Sequence, residues 1–176
     1  MSNMFKSVTS NAELDLSGWD VSNVTDMTYL FWYSTLSNVN VSNWNLSNVT
    51  SLQGAFSNAK LTNVNMSNWN LKSATSLAGL FNYVTFNSGV NLSNWNTLNV
   101  NDMSYMFEFA TINADIGMAT WNTSNVLNMS YFFEETTLNI DLDLSGWDTS
   151  SVTNYSGFDH HLEGTGTLTQ PTWPTT

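Results

Sequence analysis

Tryptophan recurs at an almost constant interval, and this repeat limits the fold of the 176-residue chain more than any other feature. Six of its eight tryptophans follow one another in steps of 25 or 26 residues: Trp19, Trp44, Trp69, Trp95, Trp121 and Trp147. A phenylalanine series keeps the same interval: Phe5, Phe31, Phe56, Phe81, Phe107 and Phe133. Such a period is typical of a solenoid whose stacked coils share one core. We predict a single solenoid domain over 1–158 with repeats at about 1–25, 26–50, 51–75, 76–101, 102–127 and 128–153, a partial coil at 154–158, and a cap or tail at 159–176.

Each repeat combines two apolar periodicities. An apolar, polar, apolar triplet precedes every repeated tryptophan: Leu14/Leu16, Val39/Val41, Val64/Met66, Val90/Leu92, Ile116/Met118 and Leu142/Leu144. Alternation of this kind predicts a short strand with one buried face. After each tryptophan the spacing becomes helical, as in Val100, Met103, Met106, Phe107 and Ala110. The predicted fold class is therefore α/β: a leucine-rich-repeat-like solenoid with a short parallel strand and a short helix in each coil.

Composition narrows the range of functions. Only 10% of residues are charged, the net charge is -11, and the bases are three lysines without any arginine, which argues against a nucleic-acid partner. Cysteine is absent, and no apolar run is long enough for a membrane span or a signal peptide. No Ser/His/Asp order, phosphate loop or pair of catalytic glutamates emerges. We expect a protein that is not an enzyme and that needs no cofactor.

The polar residues between the inward strand positions would form a flat outer face. Its candidate ligand-binding residues are Asn38, Asn40, Asn63, Asn65, Asn91, Ser42, Ser67 and Ser93. Two interpretations remain open: the asparagine amides hydrogen-bond from coil to coil and keep the surface soluble, or the face binds a protein or a glycan. Tyr29 and Trp32 add a candidate exposed aromatic contact near the helical stretch.

Three acidic residues in neighbouring coils form a candidate metal site. Asp115, Asp141 and Asp143 would place three carboxylates close together, and Ca²⁺ prefers oxygen ligands of this type. No EF-hand or nonapeptide calcium motif accompanies them. The alternative is that all three are solvated acids without a metal.

Three segments carry a family resemblance. LSGWDVSNVTDMTYLF at 16–31, WNTLNVNDMSYMF at 95–107 and LSGWDTSSVTNYSGF at 144–158 resemble the repeat of uncharacterised mycoplasma-type surface lipoproteins, which are related to BspA-like leucine-rich repeats of bacterial, protist and some viral surface proteins. The resemblance covers about 1–158. It implies a solenoid used for adhesion or recognition, with no catalytic residues to carry over. The stretches 71–75 and 117–120 depart from the repeat, and the tail after 158 lies outside it.

Together these features predict a non-enzymatic recognition or adhesion module that binds a protein or glycan at a cell surface or outside the cell. The alternative is a structural block that stacks end to end, through contacts between copies, in an extracellular filament or a virus particle such as a tail fibre. The two interpretations differ in where contacts are made. Recognition would use the flank of the solenoid, whereas assembly would use its ends.

Overall fold

A computed structural model describes residues 1–61, 64, 66–87 and 90–175, without the side chains of 11, 13, 37 and 38. The chain forms a parallel β-solenoid of about six turns. Its strands are β1 (Thr9–Asp15), β2 (Thr35–Asn40), β3 (Lys60–Leu61), β4 (Thr85–Phe86), β5 (Thr111–Ile112), β6 (Thr137–Leu138), β7 (Leu142–Asp143) and β8 (Leu168–Thr169). They pair in parallel as β1-β2-β3, β4-β5-β6 and β7-β8.

The predicted helix in each coil is wrong. Within the described ranges the only helical segment is a 3₁₀ turn at Met118–Thr120, and nothing helical there is long and apolar enough to cross a membrane. The stretches expected to be helical are tandem turns. Leu30 N–H donates to Met27 O at 3.1 Å and Ser34 N–H to Phe31 O at 3.1 Å, so each turn spans four residues.

Left-handed residues are the physical reason for this difference. The third residue of each turn has positive φ, 54° at Tyr29 and 55° at Tyr33, which an α-helix excludes. This conformation directs alternate amides out of the coil. The N–H groups of residues 27, 29, 31 and 33 donate to carbonyls 51, 53, 55 and 57 of the next coil at 2.7–3.0 Å. The turns therefore continue the parallel ladder instead of closing a helix.

The apolar triplets face the core as predicted, although most of the paired strands lie elsewhere. All described triplet residues are buried apart from Leu14 and Val90, which are half-buried. Across the part of the chain that the structure describes, only β1, β2 and β7 reach the triplets. β3 to β6 instead lie a few residues earlier in their coils. Side-chain periodicity thus located the inward face correctly but not the hydrogen-bonded segment.

Two aromatic columns run through the core. The indoles from Trp44 to Trp147 stack from coil to coil with ring centroids 5.9–6.4 Å apart. The phenylalanines from Phe5 to Phe133 stack beside them at 5.1–5.8 Å. Because each ring touches the rings above and below, no coil buries its aromatic residues alone.

The C-terminal tail covers the last coil. β8 pairs with β7, with Leu142 opposite Leu168. Beyond it, the Trp173 ring stacks on Tyr155 at 4.5 Å and meets Phe158 edge-on at 4.7 Å. The tail therefore adds most of a further turn and shields the apolar end of the stack.

Candidate functional site

The first left-handed position of the tandem turns forms a column on the outside of the solenoid. Its members in chain order are Asn3, Tyr29, Gly54, Gly79, Tyr105, Tyr131 and Gly157, all at positive φ. The tyrosine rings lie outside the core, and the rings of Tyr105 and Tyr131 stack at 5.1 Å. Two successive coils have glycine instead, so the row of rings is interrupted between Tyr29 and Tyr105.

This interruption creates an open slot. A cavity of about 290 Å³ is lined by Tyr29, Gln53, Gly54, Ser57, Ala78, Gly79, Asn82, Asp102, Ser104 and Tyr105. The Tyr29 ring lies over Gly54 of the next coil, so closely that a Cβ added at Gly54 would collide with it. A Cβ added at Gly79 would meet nothing within 4 Å. The free space therefore lies above Gly79, between two tyrosine walls.

A hydrogen-bonded polar row borders the slot. Ser57 Oγ donates to Asn82 Oδ1 at 3.2 Å, and Asn82 Nδ2 donates to Glu108 Oε2. Glu134 is hydrogen-bonded to Glu108 and lies 3.6 Å from His160 Nδ1. Burial, reinforced by the neighbouring Glu134 carboxylate, raises the pKa of Glu108 to about 7, and the hydrogen bond from the Asn82 amide partly opposes this shift. Glu108 therefore holds a proton at mildly acidic pH.

The slot combines two kinds of contact. Its tyrosine rings offer flat apolar faces, while Gln53, Ser57 and Asn82 offer amide and hydroxyl groups. Such a lining suits a neutral, hydroxyl-rich ring that has an apolar face. Among the described residues, no group of three histidine or acidic side chains is placed to hold a metal ion.

The predicted Asn/Ser face is used largely for local turns. Ser42 donates its N–H and hydroxyl to Asn40 Oδ1 at 3.3 and 2.8 Å, and Ser93 N–H donates to Asn91 Oδ1 at 2.9 Å. Ser67 is half-buried. Asn63, Asn65 and the side chain of Asn38 lie outside the described residues. A ligand role for this face stays a prediction.

Amide bonding between coils occurs at another position. Asn113 Nδ2 donates to Asn87 Oδ1 at 3.1 Å, and Asn139 Nδ2 donates to Asn113 Oδ1 at 2.8 Å. These asparagines directly follow β4, β5 and β6. The ladder therefore joins the coils through residues that were not among the predicted face.

Tyr29 and Trp32 do lie together. Their ring centroids are 5.4 Å apart, Tyr29 is exposed, and Trp32 is half-buried. Lys6 Nζ lies 4.2 Å from the Trp32 ring centroid and covers that indole. Of the predicted ligand residues that the structure describes, Tyr29 is thus the one that forms a wall of the slot.

The three candidate calcium ligands accept hydrogen bonds from nearby backbone. Asp115 Oδ1 accepts from Gly117 N–H, and Asp143 Oδ1 accepts from Ser145 N–H. Asp141 Oδ1 accepts from the hydroxyl and N–H of Thr167, and these two bonds hold its pKa below the usual value. These three carboxylates therefore stabilise local turns or attach the tail to the last coil. Their role as calcium ligands stays a prediction.

Sequence reasoning missed the glycines that open the slot. Gly54 and Gly79 occupy the repeat position that Tyr29 and Tyr105 hold in other coils. Glycine recurring inside a predicted helix is a sign of positive φ, and this sign was available in the sequence. It would have indicated both the turn and the missing ring.

The fold and the slot define a repeat protein of the parallel β-solenoid class with a laterally placed pocket. The family model described as Mycoplasma protein of unknown function, DUF285, matches residues 1–111 and 75–163. The chain belongs to this family. No curated protein and no solved structure matches it.

Proposed function

We propose that the protein is a non-enzymatic recognition module that binds a glycan in the slot between Tyr29 and Tyr105. The observation that carries the proposal is the pair of glycines, Gly54 and Gly79, which interrupt the tyrosine column and leave a walled cavity. In a solenoid, residues that recur in every coil stabilise the stack of coils. A coil that lacks the recurring residue, and thereby opens a cavity at the surface, is where we expect specific binding.

The size of the slot favours a small ring over a protein surface. About 290 Å³ lies at the lower end of the range for small-molecule pockets, which is roughly 300–1,000 Å³. A stable protein interface needs about 800 Å² on each partner. A sugar ring places its C–H face on an aromatic ring and its hydroxyls on amides, which are the two kinds of group that line this cavity.

Display at a cell surface or outside the cell is part of the proposal. It is supported by the resemblance of the W-D/N-x-S-N-V-T-D-M order to surface-protein repeats. We also propose that the repeat is related by descent to BspA-like leucine-rich repeats. This relationship does not require a helix in each coil.

End-to-end assembly remains the second candidate because of the first coil. Trp19 is 40% exposed and Met4 is 54% exposed there, and β1 has β2 as its strand partner. At the other end Trp173 covers Tyr155 and Phe158. A head-to-tail contact would therefore have to displace the tail.

Filling the slot tests the proposal. Gly79→Tyr supplies the ring that Tyr29 and Tyr105 already carry at the same backbone angle, so the variant should fold normally. Leu98→Tyr, at a position 44% exposed and outside the slot lining, is the matched control. Binding is screened on a glycan array and then measured by calorimetry.

We expect the wild type and Leu98→Tyr to bind the same glycans, and Gly79→Tyr to lose at least tenfold in affinity. Equal binding by Gly79→Tyr, or no glycan binding by the folded wild type, would contradict the proposal.

A further inference from the structure

Acidic residues are concentrated towards the two ends of the chain, a distribution that the net charge of -11 does not reveal. All fourteen acidic residues lie before residue 27 or after residue 101, four in the first range and ten in the second. Between them, 75 residues carry two lysines, Lys60 and Lys72, and no acid. The two central coils, which contain both slot glycines, are therefore locally positive within an acidic molecule. A negatively charged ligand would meet less repulsion on these coils than on the acidic coils at either end.

A second cavity opens on these coils, beside the slot. It has a volume of about 320 Å³ and is lined by Ala59, Lys60, Leu61, Tyr83, Thr85 and Asn87. Lys60 pairs with Thr35 of the preceding coil, and the corresponding strands of the next three coils pair through Thr85, Thr111 and Thr137. The repeat pattern therefore does not account for a lysine at this position.

The lining of this cavity contains one cation and several neutral groups. Lys60 and Tyr83 are exposed, and Tyr83 stacks on Phe109 at 4.5 Å, which fixes the ring against the next coil. The Thr85 hydroxyl and the Asn87 amide are also exposed. An ammonium group with a fixed aromatic face and neutral hydrogen-bonding groups suits a sugar that carries a carboxylate.

The two cavities lie close together along the same coils. Ser57 lines the slot and Ala59 the second cavity, two residues apart, while Asn82 and Tyr83 are consecutive. A ligand longer than one ring would therefore extend from one cavity to the other. Its uncharged ring would lie in the slot, where Asp102 disfavours an anion, and its charged ring would lie beside Lys60.

We infer that the Lys60 cavity is a subsite for a carboxylate-bearing sugar, adjacent to the ring bound in the slot, so that the protein prefers acidic saccharides to neutral ones. This inference rests on the proposed glycan-binding function and names the class of glycan.

Calorimetry with matched pairs of saccharides tests the subsite. The pairs are 3′-sialyllactose with lactose and trigalacturonate with galactotriose, measured at low ionic strength. Lys60→Thr restores the residue of the other coils and removes the charge. Lys72→Ser removes the same charge at a position that other coils fill with Ser22, Ser47 or Ser124, outside both cavities.

We expect the wild type and Lys72→Ser to bind the acidic member of at least one pair about fivefold more tightly, and Lys60→Thr to lose that preference. Equal affinities within both pairs, or a preference that survives in Lys60→Thr, would overturn the subsite while neutral binding continued to support the slot. Absence of binding to every saccharide would overturn both proposals.

Discussion

One hydrogen bond fixes each indole of the tryptophan column. Nε1 donates to a carbonyl of the preceding coil, at 2.8 Å from Trp44 to Leu16, 2.9 Å from Trp95 to Met66 and 3.0 Å from Trp121 to Leu92. The single donor of a large buried ring is thereby satisfied, and the bond also joins two coils. A periodic tryptophan is therefore both a core residue and a cross-link.

Replacing a buried tryptophan measures this contribution. Trp95→Phe leaves the Met66 carbonyl without its donor and removes part of the ring, so we expect a loss of about 2–4 kcal/mol in the free energy of unfolding. Trp19→Phe is the control, because Trp19 is 40% exposed, and should lose less than about 1 kcal/mol. Urea unfolding monitors both variants. Equal losses would show that the column does not stabilise the stack as described.

Protonation of Glu108 makes stability depend on pH. Its pKa is about 7 in the folded protein against a usual 4.5, because burial and Glu134 disfavour the anion. The folded chain thus holds a proton that the unfolded chain releases, and this contribution is complete below about pH 4.5 and is lost as the pH rises through 7. Glu108→Gln keeps a neutral hydrogen-bonding group and should remove this decline between about pH 4.5 and 7. Parallel pH profiles of wild type and variant would contradict the assignment.

At the scale of the element, one apolar spacing is compatible with two backbones. Residues at i, i+3, i+4 and i+7, such as Met103, Met106, Phe107 and Ala110, face the core in a helix and equally in tandem four-residue turns. The sequence therefore predicted which residues are buried and which period they follow. It did not predict the turn, because the decisive quantity is the backbone angle at Tyr105 and Phe109, which tyrosine and phenylalanine rarely adopt.

The backbone conformation, which the apolar spacing does not determine, also limited what the sequence could predict about the site. Tyr29 was identified from its aromatic side chain, whereas Gly79 contributes by having none. The hydrogen bonds that occupy Asn40 and Asn91 depend on local turns and were not visible in the alternation of polar residues. Local conformation therefore decided which polar residues border a cavity.

Two substitutions at Phe109 distinguish turn from helix. Valine and asparagine both remove the partly exposed ring and have similar helix propensities, so a helix predicts similar stabilities. At the observed φ of 56°, asparagine is tolerated and β-branched valine is strained. We expect Phe109→Val to be less stable than Phe109→Asn by about 1–2 kcal/mol in thermal or urea unfolding. Equal stabilities would contradict the left-handed turn.

At the scale of the whole molecule, the tail decides whether the C-terminal end is closed. Deleting 164–176 removes β8 and Trp173, and uncovers Tyr155 and Phe158. We expect the shortened chain to unfold at lower temperature and to self-associate, as measured by size exclusion with light scattering. A truncated chain with unchanged melting temperature and mass would show that the tail is not a cap.

Mapping the bound saccharide by NMR tests whether the slot is the binding site. ¹⁵N-labelled protein is titrated with the saccharide that binds most tightly in the array. We expect amide shifts centred on Gly54, Gly79 and Asn82, with the Asn40 and Asn91 region unchanged. Shifts centred on Asn40 and Asn91, with Gly54 and Gly79 unchanged, would place binding on the Asn/Ser face and exclude the slot.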